Sequence, residues 1–155
     1  MSLGLGVNTM HKASCLCGKI SLEINEIVGD YVYCHCKSCR KSSGSAFAAN
    51  VSVPMESFRI ITGESLISTY ESSPGKIRHF CSNCSSPLYT KVGPSPKVVR
   101  LRLGSLDTDF DKQPAAHIFV ADKACWESIE SSVPQFEEWP SKDSVRIYGS
   151  HQPDA

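Results

Sequence analysis

Eight cysteines stand in a chain of 155 residues, and seven of them fall into three tight clusters. The densest is Cys34-His35-Cys36-Lys37-Ser38-Cys39, in which three thiols lie within six residues. Cys34 and Cys36 are two apart, so on an extended segment they face one side, and Cys36 and Cys39 have the spacing of a tight metal-binding turn. A thiolate is both a strong zinc ligand and a nucleophile. Three protein ligands leave a tetrahedral ion one open position, the arrangement of a catalytic rather than a closed structural site.

The same cysteines would form four disulfides in a secreted protein. Two observations oppose that. Met1 to Ser14 lacks the apolar core of a signal peptide, and Cys15/Cys17 and Cys34/Cys36 are too close along the chain to bridge each other easily. The pairs Cys15/Cys17 and Cys81/Cys84 together make a closed four-cysteine site, which is structural. A competing partition joins Cys15 and Cys17 to two of Cys34, Cys36 and Cys39, but strands one thiol and leaves Cys81 and Cys84 without partners. Cys125, alone beside Trp126, is expected to be a small buried apolar residue.

The length suits one domain, and an apolar fraction of 41% suffices for a core. Basic and acidic residues are equal at 16 each, so no overall field favours nucleic acid or an anionic membrane. No apolar run is long enough to span a bilayer, and a cytoplasmic location is expected. Residues 1–12 read as a flexible lead, 13–148 as the domain and 149–155 as a flexible tail.

Within the domain the pattern is short and alternating. Ile20, Leu22 and Ile24 mark a half-buried strand, and Tyr31-Val32-Tyr33 leads directly into Cys34. Further strands are expected at 46–53, 58–62, 66–70, 76–80, 87–92 and 98–103, with shorter ones at 115–121 and 145–148. Ser72-Ser73-Pro74-Gly75 is a turn signal that makes a hairpin delivering Cys81 and Cys84. Cys125 to Glu130 reads as one helical turn at most. With almost no helical periodicity, the fold class is all-β.

The ordered series Cys15-x-Cys17-Gly18, Cys34-His35-Cys36-x-x-Cys39-Arg40-Lys41-x-x-Gly44, Tyr70-x-Ser72-Ser73-x-Gly75-x-x-Arg78-x-Phe80-Cys81-x-x-Cys84 and Gly104-x-Leu106-Asp107 resembles the glutathione-dependent formaldehyde-activating enzyme family. His117-Ile118, Trp126-x-x-Ile129 and Val133-Pro134-x-Phe136-Glu137-Glu138-x-Pro140 continue the resemblance. It implies a β-tent of small antiparallel sheets with zinc knuckles and two zinc ions per chain. One would be structural, on Cys15, Cys17, Cys81 and Cys84; the other catalytic, on Cys34, Cys36 and Cys39. The implied activity is reversible joining of formaldehyde to the glutathione thiol, a carbon–sulfur lyase reaction with a small-molecule thiol and an aldehyde as partners. Centromere protein V is a relative, so a non-catalytic zinc-stabilised interaction module of the same fold is the alternative. Ser85 replaces the family's common glycine after the second knuckle, where left-handed backbone brings local strain.

Around the three-cysteine cluster, Arg40 and Lys41 are candidates for binding the carboxylates of glutathione, and Ser42, Ser43 and Gly44 for presenting hydroxyls and a backbone amide. Arg78 is a candidate for neutralising thiolate charge. His35 is expected to point away from the metal as a packed or solvent-facing imidazole, and His117 to be a satisfied core histidine. Trp126, Phe136 and Trp139 are assigned to packing. Exposed sheet edges allow a homodimer.

Overall fold

Alternating apolar and polar residues give ten strands in two sheets in the computed structural model, which describes residues 10–154. Strands β1 (His11–Ser14), β2 (Ser21–Ile24) and β5 (Phe58–Thr62) form a small antiparallel sheet in the order β1-β2-β5. The larger sheet uses β3 (Val28–Cys34), β4 (Ala48–Pro54), β6 (Ile67–Ser73), β7 (Lys76–Cys81), β8 (Pro87–Val92), β9 (Val98–Arg102) and β10 (Ala116–Ile118). Its order is β10-β3-β4-β9-β8-β7-β6. The fold is strand-built, as the periodicity implies, but one pairing departs from the expected antiparallel sheets. β10 runs parallel to β3, with Ile118 opposite Cys34. The chain that joins β9 to β10 is long enough to cross over, which a parallel neighbour requires.

Because side chains alternate across a strand, the large sheet has two faces of different character. Val51 and Val53 of β4 and Val99 and Leu101 of β9 point toward Ile20, Leu22 and Ile24, and these residues are the main core. The opposite face carries Asn50 of β4 and Arg100 and Arg102 of β9, with Asn50 opposite Arg102 in the ladder. A second apolar cluster covers one end of that face. There Val32, Ala116 and Ile118 meet Val145 and Ile147.

The sequence pattern misses the helix. Lys37–Ser43 is an α-helix, α1, whose N-cap is Cys36: its sulfur accepts from the Cys39 N–H at 3.4 Å. Gly44 closes the helix at φ +70°, its N–H donating to Arg40 O at 2.8 Å. Seven residues are too few to display an apolar stripe, and the cap is a thiol rather than a hydroxyl or carboxylate.

Four further expectations need correction. His11 and Lys12, assigned to a flexible lead, pair with Ile24 and Glu23 in β1–β2, since backbone groups at a sheet edge are satisfied by a neighbouring strand; residues 1–9 lie outside the described residues. Val145–Tyr148 forms no strand. It lies across the large sheet, held by Asp30 N–H to Arg146 O at 2.9 Å and Ser52 Oγ to Tyr148 O at 2.8 Å, side-chain and single backbone bonds in place of a ladder. The expected tail is packed at Gln152, whose buried amide donates to Pro140 O and Val145 O, each at 2.9 Å, and accepts from the Ile147 N–H at 3.2 Å. Cys125 is exposed, as is Trp126 at 67%, because β10 ends at Ile118, Phe119 turns the chain at φ +55°, and the chain beyond has no strand alternation to turn them inward. Trp139 does pack, edge-on to Phe119 at 5.2 Å, and Phe136 joins the same cluster.

Candidate metal centres and their basic surroundings

The tertiary structure resolves how the thiols partition. Cys15 and Cys17, at the corner between β1 and β2, meet Cys81 and Cys84, at the end of the β6–β7 hairpin, with all four sulfurs within 4.8 Å of one another. Cys34, Cys36 and Cys39 form a second group within the same limit, and among the described residues no fourth histidine, cysteine, aspartate or glutamate joins it. Zinc–sulfur bonds of about 2.3 Å in a tetrahedron place sulfurs about 3.8 Å apart. The distances Cys15–Cys17 and Cys17–Cys81 are 3.5 and 3.9 Å, so both the donor type and its spacing fit that ion. Each cluster can hold a metal ion.

Local backbone explains the first cluster. The Ile20 N–H points at Cys15 Sγ at 3.3 Å and the Cys84 N–H at Cys81 Sγ at 3.5 Å, the N–H···S pattern that stabilises thiolates in knuckles. Ser86 Oγ lies 3.4 Å from Cys84 Sγ, and hydrogen bonding to Ser86 holds the Cys84 thiol down to about 5. Gly18 and Ser85 close the two knuckles with φ +76° and +67°. Ser85 thus has the left-handed geometry expected of it.

The second cluster joins the end of β3 to α1. Cys39 is buried on the helix, one turn after its N-cap Cys36. Hydrogen bonds from the Cys34 and Cys36 thiols hold the Cys39 thiol well below its ordinary value, and the nearby Lys76 and Arg102 act in the same direction. The Cys34 thiol is pushed up, chiefly by the proton it shares with Cys36 and Cys39.

His35, between two of these cysteines and one residue past the end of β3, is fully buried, with its ring turned toward His117. Its Nε2 lies 2.8 Å from His117 Nδ1, and His117 Nε2 lies 3.1 Å from Ser131 Oγ. Burial first, then the His117 and Lys123 charges, lower the His35 pKa to about 4.

Two cavities border the three-cysteine cluster's surroundings. A small one of about 60 Å³ is lined by Cys34, Cys39, Asn50, Lys76, Arg78 and Arg100, with Trp139 and Ile147 also in its wall. An open cleft of about 400 Å³ is bordered by Ser42, Tyr70, Arg78, His79, Tyr89 and Arg102. A larger concavity of about 720 Å³ lies toward the four-cysteine knuckle, against Cys15, Leu16, Ser43, Phe47 and Arg102, and holds none of the three clustered thiols.

Of the residues singled out from sequence, Arg78 lines both smaller cavities. Ser43 borders the largest one, but its hydroxyl is occupied by Arg40 O at 3.3 Å and Phe47 O at 3.0 Å. Arg40, Lys41 and Gly44 line none of the three cavities; Lys41 and Gly44 are exposed at the end of α1. Sequence reasoning missed Lys76, Arg100 and Arg102. The signal was the alternation Val98-Val99-Arg100-Leu101-Arg102-Leu103 on a central strand, where an arginine on the covered face is buried by necessity. Arg100 and Arg102 are 8% and 7% exposed, and burial lowers both, Arg100 to about 10.

Comparison with known proteins places the chain in a family. Residues 10–122 match the family model described as glutathione-dependent formaldehyde-activating enzyme. A protein of Halomonas elongata that carries that enzyme name provisionally is 30% identical over 132 residues, covering 77% of this chain and 81% of its own. The crystal structure of a Rhodobacter sphaeroides protein superposes with a TM-score of 0.55 over 64% of this chain and 91% of its own; at 19% identity it bears on the fold alone. The match takes in all seven clustered cysteines, and the chain belongs to the glutathione-dependent formaldehyde-activating enzyme family.

Proposed function

We propose that the protein is a zinc-dependent carbon–sulfur lyase that joins a small-molecule thiol, glutathione or similar, to an aldehyde such as formaldehyde, and catalyses the reverse cleavage. The observation that carries this reading is the second cluster: three thiols converge, no fourth protein ligand closes the set among the described residues, and a cavity opens beside it. Zinc held by Cys34, Cys36 and Cys39 would supply an open coordination position where a substrate thiol binds as thiolate. The four-cysteine cluster, with no position to spare, is assigned to a structural zinc.

The chain's own residues then supply the rest. Lys76, Arg100 and Arg102 hold negative charge at Cys39, which favours every thiolate in the neighbourhood over its thiol. Trp139, Ile118 and Ile147 give the small cavity an apolar wall, beside which those charges act more strongly than in water. In the forward direction the substrate thiol gives up its proton to solvent, a sulfur–carbon bond forms as the thiolate lone pair attacks the carbonyl carbon, the carbonyl π pair moves to oxygen, and that oxygen takes a proton back from solvent to give the S-hydroxymethyl product. The basic face is placed to stabilise charge on that oxygen while it develops.

Zinc content and glutathione binding in the wild type and Cys39→Ser test this reading together with the rate of adduct formation. Two zincs falling to one, with loss of thiol binding and of any acceleration over the uncatalysed reaction, is the expected result. A protein that holds two zincs but accelerates adduct formation with no thiol fits instead the interaction-module reading.

A further inference from the structure

The most unusual feature of the molecule is a group of four cations without a carboxylate partner. Lys76, Arg78, Arg100 and Arg102 share one face of the large sheet, from β7 and β9, and two of them are more than nine-tenths buried. Among the described residues the ion pairs are Arg59–Glu23, Lys112–Asp30 and Lys142–Asp154, and none touches this group. The acceptors that the arginines do find are hydroxyls. Arg78 donates to Ser72 Oγ at 2.8 Å and to Ser42 Oγ at 3.0 Å; Arg100 donates to Ser52 Oγ at 2.7 Å; Arg102 donates to Ser42 Oγ at 2.6 Å. Nη1 of Arg102 is buried with no partner at all.

Burying a guanidinium without a compensating anion is costly, and hydroxyls compensate it poorly. The cysteine cluster does not supply the missing charge. Three thiolates around a doubly charged ion leave one net negative charge against four positive ones. Lone hydroxyls and an unpartnered Nη1 are what such a site shows when an anionic ligand completes it.

The arrangement also specifies the kind of anion. Ser42 sits on α1, one turn after Cys39, and accepts from Arg78 and Arg102 at once, so it holds two guanidiniums together at the edge of the 400 Å³ cleft. Paired planar forks match the two oxygens of a carboxylate. We propose that Arg78 and Arg102, held together by Ser42, form a carboxylate subsite adjoining the Cys34/Cys36/Cys39 cluster, so that a reactant brought to those thiols carries a carboxylate. This deepens the thiol–aldehyde reading and rests on it for the identity of the reactants. The carboxylate belongs either to an acidic thiol or to an acidic aldehyde, and the two are separable.

The test is calorimetric titration of the zinc-loaded protein with S-methylglutathione, whose sulfur is capped, and with its diethyl ester, alongside glyoxylate and acetaldehyde. An acid probe is expected to bind about tenfold or more tightly than its uncharged counterpart, and Arg78→Gln to remove that preference. Preference for S-methylglutathione places the carboxylate on the thiol; preference for glyoxylate places it on the aldehyde. Arg78 is the first position to change because it is only half-buried, and Arg102→Lys, which keeps the charge but loses the fork, is expected to weaken the same probe. The proposal is overturned if neither acid outcompetes its counterpart, or if Arg78→Gln binds like the wild type at unchanged zinc content. Failure of the reaction looks different: the acid probe binds in an Arg78-dependent way, yet formaldehyde and glutathione combine no faster than without protein. Equal acceleration with glutathione and its diethyl ester, together with equal acceleration of glyoxylate and acetaldehyde, has the opposite meaning, with the reaction intact and the subsite gone.

Discussion

Ser85 shows how a single residue records a structural demand. Its backbone sits at φ +67° so that its N–H can donate to Cys81 O at 2.8 Å and close the second knuckle. A non-glycine residue there is strained by about 1 kcal/mol. Ser85→Gly should therefore stabilise the protein by about 1 kcal/mol, seen as a higher urea midpoint at unchanged slope; an unchanged or lower midpoint would show that the turn carries no strain. The buried histidine pair makes a second prediction at this scale. The His35 pKa is lowered by burial to about 4, below the ordinary value of about 6.5. The unfolded chain thus takes up a proton first as the pH falls. Stability is full above about 6.5 and declines toward 4, and the His35 ring resonances should still report a neutral imidazole at pH 6. A midpoint near 6.5 would mean that the ring is not buried in solution.

Among the elements, α1 joins structure to chemistry through Cys36, which is both its N-cap and a candidate ligand. Cys36→Ser keeps a capping oxygen and loses the thiolate, whereas Cys36→Ala loses both. Each should reduce the zinc content by one ion, but only the alanine variant should lose a further ~1 kcal/mol of stability from the uncapped helix. Equal unfolding midpoints would show that the sulfur cap contributes nothing. The C-terminal segment is the second such element. The bonds from Ser52 Oγ to Tyr148 O and from Asp30 N–H to Arg146 O, with a close approach at Gly149, where a Cβ would lie 2.9 Å from Val98, hold it on the large sheet, and Gln152 ties the segment to itself. Gln152→Ala leaves two buried carbonyls and an N–H without partners and should cost about 1–3 kcal/mol. Hydrogen exchange should rise in residues 140–152 ahead of the rest of the sheet; uniform protection would mean that the segment does not open independently.

For the whole molecule, the two cysteine clusters differ in what they connect. Cys15 and Cys17 belong to the small sheet and Cys81 and Cys84 to the large one, so a metal there ties the two sheets together. The second cluster lies within one segment, 34–39. Cys84→Ser is accordingly expected to lower stability by more than ~3 kcal/mol, while Cys39→Ser loses its metal and retains the fold. Comparable thermal midpoints for the two variants would contradict that division. Much of this was legible in the sequence. Cysteine spacing, β-alternation and turn residues are local properties, and they determined the strand-built fold, the metal-binding clusters and the family. The helix at 37–43 escaped because its cap is a thiol and its length too short for a periodic signal. The anion-binding face escaped for a different reason. Strand alternation puts Arg100 and Arg102 on one side, but only the tertiary structure decides that this side is covered by residues 145–152 and that Arg102 reaches Ser42, 60 residues away. Burial changes what a cation does, and burial is a property of what lies opposite in space.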